Sequence, residues 1–328
     1  MLKTLRPLAA ALVLSSALAV PAAQAQDNAA IRYVPQGDLR VLDPIWTTGT
    51  VTQVFGSMIY DTLFARDGKL QVQPQMVEAW SASPDGLTYR FTLRPGLAFH
   101  DGSPVTAKDV IPSLERWGKR DIMGQRLFQS VAKLEAIDDR SLTLILKEPY
   151  GLVIESLGRV GGLVPAIMTE RMARTDASQQ VPEHLGSGPF TYDPKEWVPG
   201  SKIVLRKNAK YLPRPEPSSW SAGEKKVLVD RVEWLYIPDP STAANALVAG
   251  EVDMLETPTH DMIPLLKRNA GVTIQRGDPL GNVGTLRPNH LHPPFNDVRA
   301  RRALGLLIEQ EDYLRASDRK STRLNSSH

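Results

Sequence analysis

Apolar residues along this chain switch repeatedly between the two-residue period of strands and the 3.6-residue period of helices. Residues 88–93 alternate strictly, with Tyr89, Phe91 and Leu93 on one side, which predicts a half-buried strand. Residues 51–63 instead carry apolar side chains at helical spacing, and we predict a helix there. Because the two patterns alternate throughout, the chain is predicted to be an α/β protein.

Local signals mark several further elements. Thr106, followed three residues later by Asp109, resembles a capping box and predicts a helix start, and Pro112 is expected to kink or shorten that helix. The Pro- and Ser-rich stretch 212–224 is interpreted as an ordered surface excursion, because strand patterns flank it. We also predict strands at 31–34, 131–137, 142–147, 203–206 and 229–237. A helix is predicted at 241–248, with Ala244, Leu247 and Val248 inward. A last helix, capped by Asn296 or Asp297, is predicted to carry Ala300, Leu304, Leu307 and Ile308.

The first 25 residues have the order of a secretory signal peptide. Lys3 and Arg6 precede an apolar run, and the small residues Ala23 and Ala25 give the A-x-A pattern of a cleavage site. We expect cleavage after Ala25; a membrane anchor is the alternative, but the apolar run is short of the roughly 20 residues of a membrane span. The sequence has no cysteine, so a disulfide and a cysteine-linked lipid anchor are both excluded. The mature protein is therefore expected to be free in the periplasm.

The last eleven residues, 318–328, have no apolar periodicity. Their sequence, DRKSTRLNSSH, matches codon for codon the translation of a common sequencing-library adapter, and we interpret them as an assembly artefact. The formal net charge of the chain is +3; Lys3 and Arg6 contribute two of these charges and the tail a net two, which leaves −1 for residues 26–317. A nucleic-acid-binding role, which a basic face would favour, therefore loses its main support.

Nine short segments occur in an order that is characteristic of one protein family. They are LDP at 42–44, MVEAW at 76–80, DGLTYRFTLR at 85–94, FHDG at 99–102, TAKDV at 106–110, GSGPF at 186–190, WVPGS at 197–201, AGEVD at 249–253 and PPFNDVR at 293–299. Together they resemble the peptide, nickel and oligosaccharide solute-binding proteins of ABC importers. The resemblance extends from about residue 31 to residue 316, and members of that family are substantially longer than this chain.

The resemblance implies a periplasmic-binding-protein-like fold of two lobes, in the class with an extra subdomain. It places the first lobe at residues 26–48 and 166–280, the extra subdomain at 49–165, and the start of an incomplete, ligand-closing second lobe at 281–317. The implied function is to bind di- and oligopeptides in the periplasm by hinge closure, as a monomer, and to deliver them to a membrane permease.

Three other functions remain open from the residues. The chain could bind a non-peptide solute within the same family, such as a metal chelate, an oligosaccharide or an opine. It could be a truncated fragment without activity. It could also be an exported hydrolase, although the sequence contains no catalytic constellation, and we expect neither enzymatic activity nor a cofactor.

Arg159 and the start of the first helix are candidates for contact with the solute. Arg159 precedes two glycines, where its guanidinium could clamp a carboxylate with two parallel hydrogen bonds; a surface ion pair is the alternative. Thr48 and Gly49 stand before the 51–63 helix, where free N–H groups favour anions, although plain N-capping explains them equally well.

Three later residues complete the candidate set. Ser187 and Gly188 lie in a glycine-rich segment that could bring backbone N–H groups close to a ligand, with a tight turn as the alternative. The segment lacks the G-x-S-x-G frame of a nucleophile elbow. Trp197 could cover the ligand, although packing is the better interpretation.

The histidines give only weak chemical signals. His100 and Asp101 could suggest general-base chemistry, but they lie in a turn within a family motif and no nucleophile is evident. His290 and His292 could ligate a metal with distant partners, yet an H-x-H pair alone is a weak signal for zinc. We expect no metal site.

Overall fold

A computed structural model of the protein describes residues 29–277 and 285–317. The predicted signal peptide, the predicted lobe boundary at Gly281 and the eleven-residue tail lie outside the described residues. The described strands are β1 (Ala30–Val34), β2 (Phe64–Arg66), β3 (Val72–Pro74), β4 (Val77–Ala82), β5 (Thr88–Leu93), β6 (Val131–Ala136), β7 (Ser141–Leu146), β8 (Phe190–Val198), β9 (Lys202–Lys207), β10 (Arg231–Leu235) and β11 (Met254–Leu255). The described helices are α1 (Thr50–Ile59), α2 (Ala107–Arg120), α3 (Ile122–Ser130), α4 (Val153–Leu157), α5 (Glu170–Ala173), α6 (Pro240–Val248), α7 (Ile263–Lys267), α8 (Val298–Leu307) and α9 (Gln310–Ser317).

The larger of two main sheets combines the start of the chain with its later strands. Its order is β11-β1-β10-β9-β8, and it is open at both edges. β1 runs parallel to β10 and β11, whereas β9 is antiparallel to β10 and to β8. Parallel pairing of β1 with β10 requires a long crossover, and the intervening residues include the second main sheet and the helices α1 to α5.

The second main sheet is built from the middle of the chain. Its order is β4-β5-β7-β6 with antiparallel neighbours, and β2 and β3 form a separate two-stranded sheet. The predicted strand at 88–93 is confirmed as β5, with Tyr89, Phe91 and Leu93 buried. The predicted pair at 131–137 and 142–147 is confirmed as the β6–β7 hairpin.

One continuous hydrophobic core contains side chains from both main sheets. α1 lies within it, since Phe55 and Ile59 are fully buried. The Phe55 ring meets Tyr192 of β8 edge-on at 5.6 Å, and Phe64 meets Phe91 of β5 edge-on at 5.8 Å. Edge-to-face pairs of this kind add to the stability gained from burial alone. α1 is therefore held rigidly by the core, and only its outer face remains available.

The helix predicted from the capping box is confirmed as α2. Thr106 and Asp109 exchange the reciprocal cap contacts, and the helix continues through Pro112 to Arg120 without ending there. Its inner side carries Arg116, whose guanidinium forms an ion pair of 2.8 Å with Asp43, both side chains being buried. This pair fixes α2 to the segment that leads into α1.

Two of the predicted helices differ from their sequence patterns. α1 ends at Ile59 rather than near residue 63, because Tyr60 is extended (ψ 157°) and Leu63 is buried from a non-helical segment. In α6 the packed side chains are Ala243, Ala244 and Ala246, so Val248, predicted to face inward, is 40% exposed. The small alanines let this helix approach the sheet closely.

The C-terminal helices lie at the surface of the described structure. Asp297 caps α8 as predicted, because its carboxylate accepts the N–H of Arg299 at 2.8 Å. Leu307, one of the apolar residues of this predicted helix, is 80% exposed, and no residue of α8 is buried. Among the described residues no helix is long and apolar enough to cross a membrane.

Candidate functional site

An open cleft of about 300 Å³ lies above the outer face of α1. Three segments that are distant in sequence form its sides: residues 50–65, which include α1, residues 159–164, and residues 220–225. Its lining residues are Thr50, Gln53, Val54, Gly56, Ser57, Tyr60, Thr62, Phe64, Ala65, Arg159, Val160, Val164, Trp220, Ser221 and Lys225. A concave surface with a few polar groups among apolar ones is the usual form of a small-molecule site.

Gln53 joins α1 to the wall formed by residues 159–164. Its Nε2 donates to the carbonyl oxygens of Pro44 (2.8 Å) and Thr47 (2.5 Å), and its Oε1 accepts the N–H of Val164 at 3.2 Å. Every hydrogen-bonding group of this amide is thus engaged with backbone. Gln53 therefore sets the position of one wall of the cleft relative to its floor.

Arg159 projects from that wall and is anchored by a buried carboxylate. Its Nε lies 3.1 Å from Oδ2 of Asp121; the Arg159 side chain is 26% exposed and that of Asp121 3%. The Asp121 carboxylate also accepts the N–H groups of Met123 (2.8 Å), Gly124 (3.2 Å) and Leu163 (3.1 Å). Arg159 therefore forms an ion pair, but with a buried partner beneath the cleft rather than at the surface, and its contact with a solute stays a prediction.

Residues 212–225 form the facing wall, as an ordered excursion of the kind predicted from sequence. The N–H of Gly223 donates to Oε1 of the buried Gln75 at 3.2 Å. Ser221 exchanges hydrogen bonds with the backbone of Arg66, at 2.9 and 3.0 Å. These contacts fix the excursion against β2 and β3, so that its tip borders the cleft. Trp220, at the tip, is 61% exposed.

Lys225 places a second cation at this wall. Its Nζ lies 2.9 Å from Oδ1 of Asp61, and the two side chains are 18% and 1% exposed. The Tyr211 hydroxyl donates to the other Asp61 oxygen at 3.0 Å. Burial and the Asp61 carboxylate raise the pKa of Tyr211, so its hydroxyl remains a donor. The Asp61 carboxylate also accepts the N–H of Thr62 at 3.1 Å and is therefore held by three partners under the cleft.

Of the six predicted contact residues, Arg159 lies in the cleft. Thr48 and Gly49 are exposed immediately before Thr50, the first lining residue of α1. Gly49 is the N-cap of α1 and provides no side-chain cap; its own N–H is taken up by Oγ1 of Thr47 at 3.1 Å. Thr48 and Gly49 thus stand next to the floor of the cleft, and their contact with a solute stays a prediction.

The segment at Ser187 and Gly188 lies on the core side of α1. The N–H of Gly188 donates to the Ile59 carbonyl at 2.8 Å, and a Cβ at Gly186 would lie 1.9 Å from that carbonyl oxygen. Glycine is required here for close contact between two backbones, and contact of Ser187 or Gly188 with a solute stays a prediction. The Ser187 hydroxyl is buried and has no hydrogen-bond partner among the described residues. Neither Ser187 nor Gly188 lines the cleft.

Trp197 lies on β8, also outside the cleft. Its indole N–H donates to the Leu39 carbonyl at 3.1 Å, and its ring packs against the core. The structure thus shows packing contacts for Trp197, and its contact with a solute stays a prediction.

The histidine contacts are structural. His100 Nε2 lies 3.2 Å from the Gly188 carbonyl, and its backbone N–H donates to Gly186. Asp101 accepts from Ser103 within its own turn rather than from His100. Burial lowers the pKa of His100 and of His184 to about 4. Within residues 29–277 and 285–317, no group of three or more metal-ligating side chains occurs.

Sequence reasoning missed Gln53, Trp220 and Lys225. The last two lie in or next to the Pro- and Ser-rich stretch, which carries no apolar period and was interpreted only as an excursion. Trp220 is a single apolar residue in this polar stretch, and a lone exposed residue does not by itself indicate a binding surface.

Comparison with known proteins identifies the relatives of this chain. The profile of the bacterial extracellular solute-binding proteins, family 5, matches residues 71–326. A probable peptide ABC transporter periplasmic-binding protein of Sinorhizobium fredii is 40% identical over 282 residues, which are 85% of this chain and 52% of that protein. A probable deoxycholate-binding periplasmic protein of Escherichia coli is 28% identical, over 85% of this chain and 53% of that protein. The chain therefore spans about half the length of these relatives.

Solved structures share the fold. A periplasmic binding protein of Helicobacter pylori in complex with the peptide STSA aligns with a TM-score of 0.68 at 24% identity, over 88% of this chain and 58% of that one. A mannopinic acid complex of a binding protein from Agrobacterium tumefaciens R10 aligns with a TM-score of 0.69 at 21% identity, over 89% and 58%. The predicted fold class, an α/β periplasmic-binding-protein-like architecture, is confirmed.

Proposed function

We propose, on the premise that this chain belongs to the bacterial extracellular solute-binding proteins of family 5, that it is the periplasmic solute-binding component of an ABC importer for peptides. The observation that carries this proposal is the cleft above α1, whose floor is rigid and whose two walls present polar and aromatic groups to solvent. The relative from Sinorhizobium fredii, named as a probable peptide-binding protein, supports peptides as the solute class.

A second class of solute is favoured by specific comparisons. Relatives and structural neighbours include proteins named for deoxycholate and complexed with mannopinic acid. The solutes named for these proteins are not peptides. We therefore retain a non-peptide organic acid as the alternative solute, with the same transport role.

The remaining features of the proposal follow from the family role. The protein would be exported with cleavage after Ala25, remain unanchored and monomeric, and dock on permease subunits without catalysing a reaction. Residues 26–48 and 166–280 would form the first lobe, 49–165 its extra subdomain, and 281–317 the start of the second lobe. Closure of a second lobe over the cleft would exclude water and strengthen the polar contacts to the solute.

Export and ligand binding can be tested on the same sample. The protein is expressed with its own N-terminus in a two-membrane bacterium and purified from the periplasmic fraction. We expect an N-terminal Gln26 by mass spectrometry and a melting temperature that rises with peptide, since a ligand at 100 times its Kd adds about 2.7 kcal/mol. A cytoplasmic, uncleaved product would contradict the export proposal. A melting temperature unchanged by a mixed di- and tripeptide library would contradict peptide binding.

A further inference from the structure

We infer that the cleft above α1 binds its solute through a carboxylate group, with Arg159 as the main donor and Lys225 as a second cation on the facing wall. This inference rests on the proposed function and adds the chemical class that the solute carries. It follows from the distribution of charge in the cleft, from the unused donors of Arg159 and from the position of Lys225 and Trp220.

The charged residues of the cleft are of one sign. Arg159 and Lys225 are both in its lining, and no Asp or Glu occurs among the described lining residues. Their partners Asp121 and Asp61 are 3% and 1% exposed, so both carboxylates lie beneath the surface. Each pair is therefore oriented with its positive end toward the solute. A cleft of this kind attracts an anion and disfavours a second cation.

Arg159 has hydrogen-bond donors to spare. Its Nε lies 3.1 Å from Oδ2 of Asp121 as an ion pair without a hydrogen bond, and its guanidinium forms no side-chain hydrogen bond within residues 29–277 and 285–317. A guanidinium has five N–H donors in a fixed, planar arrangement that matches a carboxylate. Because Asp121 is fixed by three backbone N–H groups, the guanidinium is held in place before a ligand arrives.

Gly162 leaves the space that the Arg159 guanidinium occupies beside Asp121. Its φ of +83° is in the left-handed region, and a Cβ there would lie 2.5 Å from Nη2 of Arg159. A side chain at this position would displace the guanidinium without removing its charge. The Gly161-Gly162 pair thus positions Arg159 as a donor to the cleft.

A second acidic residue near Arg159, besides Asp121, is also already paired. Glu155 lines a recess that Arg159 also borders, and its carboxylate forms an ion pair with Arg66. It therefore leaves Arg159 available to the solute.

The facing wall adds a cation and a flat apolar surface. Lys225 and Trp220 both have positive φ, 45° and 51°, a conformation that costs free energy in non-glycine residues. The excursion holds them in it through its contacts with β2 and β3. A solute carboxylate at Arg159 would therefore have its apolar part beside the Trp220 ring and within a cleft of limited volume.

The carboxylate could belong to the terminus of a peptide, to an acidic side chain or to a non-peptide acid. Three probe pairs distinguish these sources: tri-alanine and its C-terminal amide, the amidated tripeptides Ala-Glu-Ala and Ala-Gln-Ala, and glutarate and glutaramide. Titration calorimetry on the purified protein gives each affinity. We expect the acid of at least one pair to bind roughly tenfold to hundredfold more tightly than its amide.

The variants are chosen so that the fold survives. Arg159→Gln is combined with Asp121→Asn, which avoids leaving a buried, unpaired carboxylate. The matched control is Arg206→Gln with Glu196→Gln, an ion pair on the surface outside the cleft. We expect the first double variant to abolish the preference for the acid and the second to retain it. Gly162→Ala is expected to reduce the preference while the charge is kept.

The outcomes separate the proposed carboxylate site from the proposed function as a peptide importer. Equal binding of acid and amide in all three pairs, a preference that survives in the Arg159 double variant, or no binding of any acid would overturn the carboxylate site. Binding of glutarate through Arg159 without binding of any peptide would support the site and contradict the peptide importer. Binding of peptides with no acid preference would leave the importer standing and reject the site.

Discussion

At the scale of single residues, the structure buries charged side chains beside partners that are too distant in sequence to be identified from local patterns. Arg116 and Asp43 are separated by 73 positions, and Lys225 and Asp61 by 164. The side chains of the first pair are 1% and 0% exposed, and those of the second pair 18% and 1%. Burial of a charge is tolerated only when a partner and hydrogen bonds compensate the lost hydration. Such residues therefore determine both stability and the surface that a solute meets.

The Arg116–Asp43 pair should be critical for stability. Arg116→Met would leave the Asp43 carboxylate buried without its cation, although Val181 still donates its N–H to it at 3.0 Å. We expect a loss of about 3–5 kcal/mol in the free energy of unfolding, measured in urea. Arg174→Met, which breaks an exposed i,i+4 pair with Glu170, is the control and should cost less than about 1 kcal/mol. Equal effects of the two changes would refute this account.

The buried histidines predict a dependence of stability on pH. His100 and His184 have folded pKa values of about 4, below the ordinary 6.5, so the native state keeps them neutral. Their contribution is fully present above pH 6.5 and is lost as the pH falls toward 4, because the unfolded chain takes up protons first. The free energy of unfolding should fall by at most about 1.4 kcal/mol per pH unit for each histidine in that window.

His184→Gln provides the test of that assignment. The variant removes one of the two titrating groups and should reduce the slope between pH 6.5 and 5 relative to the wild type. His260→Gln, a change at an exposed histidine, should leave the slope as it is. A wild-type stability that is flat across this window would show that burial does not hold the two histidines neutral.

At the scale of elements, the local patterns were reliable where one segment decides its own structure. The alternation in β5, the β6–β7 hairpin and the capping box of α2 were all predicted. The end of α1 was not, because Leu63 continues the helical spacing although Tyr60 is extended. The walls of the cleft were also not predictable as a unit, since they depend on tertiary pairings such as Val164 with Gln53.

The contact between α1 and the glycine-rich segment is the most restrictive of these element contacts. Gly186→Ala would put a Cβ 1.9 Å from the Ile59 carbonyl oxygen, so one backbone must move. We expect a loss of at least about 2 kcal/mol in the free energy of unfolding. Gly151→Ala is the matched control, because nothing lies within 4 Å of its Cβ. A Gly186→Ala protein as stable as the control would contradict the observed packing.

At the scale of the whole molecule, two open sheets share one core, and the cleft lies on the outer face of the helix between them. The same molecule exposes large apolar side chains near its last helices, including Leu291 at 84%, Leu306 at 85% and Leu307 at 80%. Exposed apolar residues that are close together usually mark a contact surface or a tendency to aggregate.

This exposure predicts that the purified chain, although monomeric at low concentration, self-associates as its concentration rises. The double variant Leu306→Glu with Leu307→Glu should bind less of a hydrophobic dye and remain monomeric at higher concentration, as measured by light scattering. Leu228→Glu, a change at an isolated leucine that is 77% exposed, is the control and should have little effect. Identical scattering from all three proteins would show that the α8 surface is not responsible.

The central claim is that the cleft above α1 is where the solute binds. A tripeptide that carries benzoylphenylalanine can be photocrosslinked to the purified protein and the adducts mapped by mass spectrometry, with excess unlabelled peptide as competitor. The account predicts competed adducts on residues 50–65, 159–164 and 220–225, the three segments that line the cleft. Competed adducts confined to other segments, such as the surface around Trp197, would contradict it.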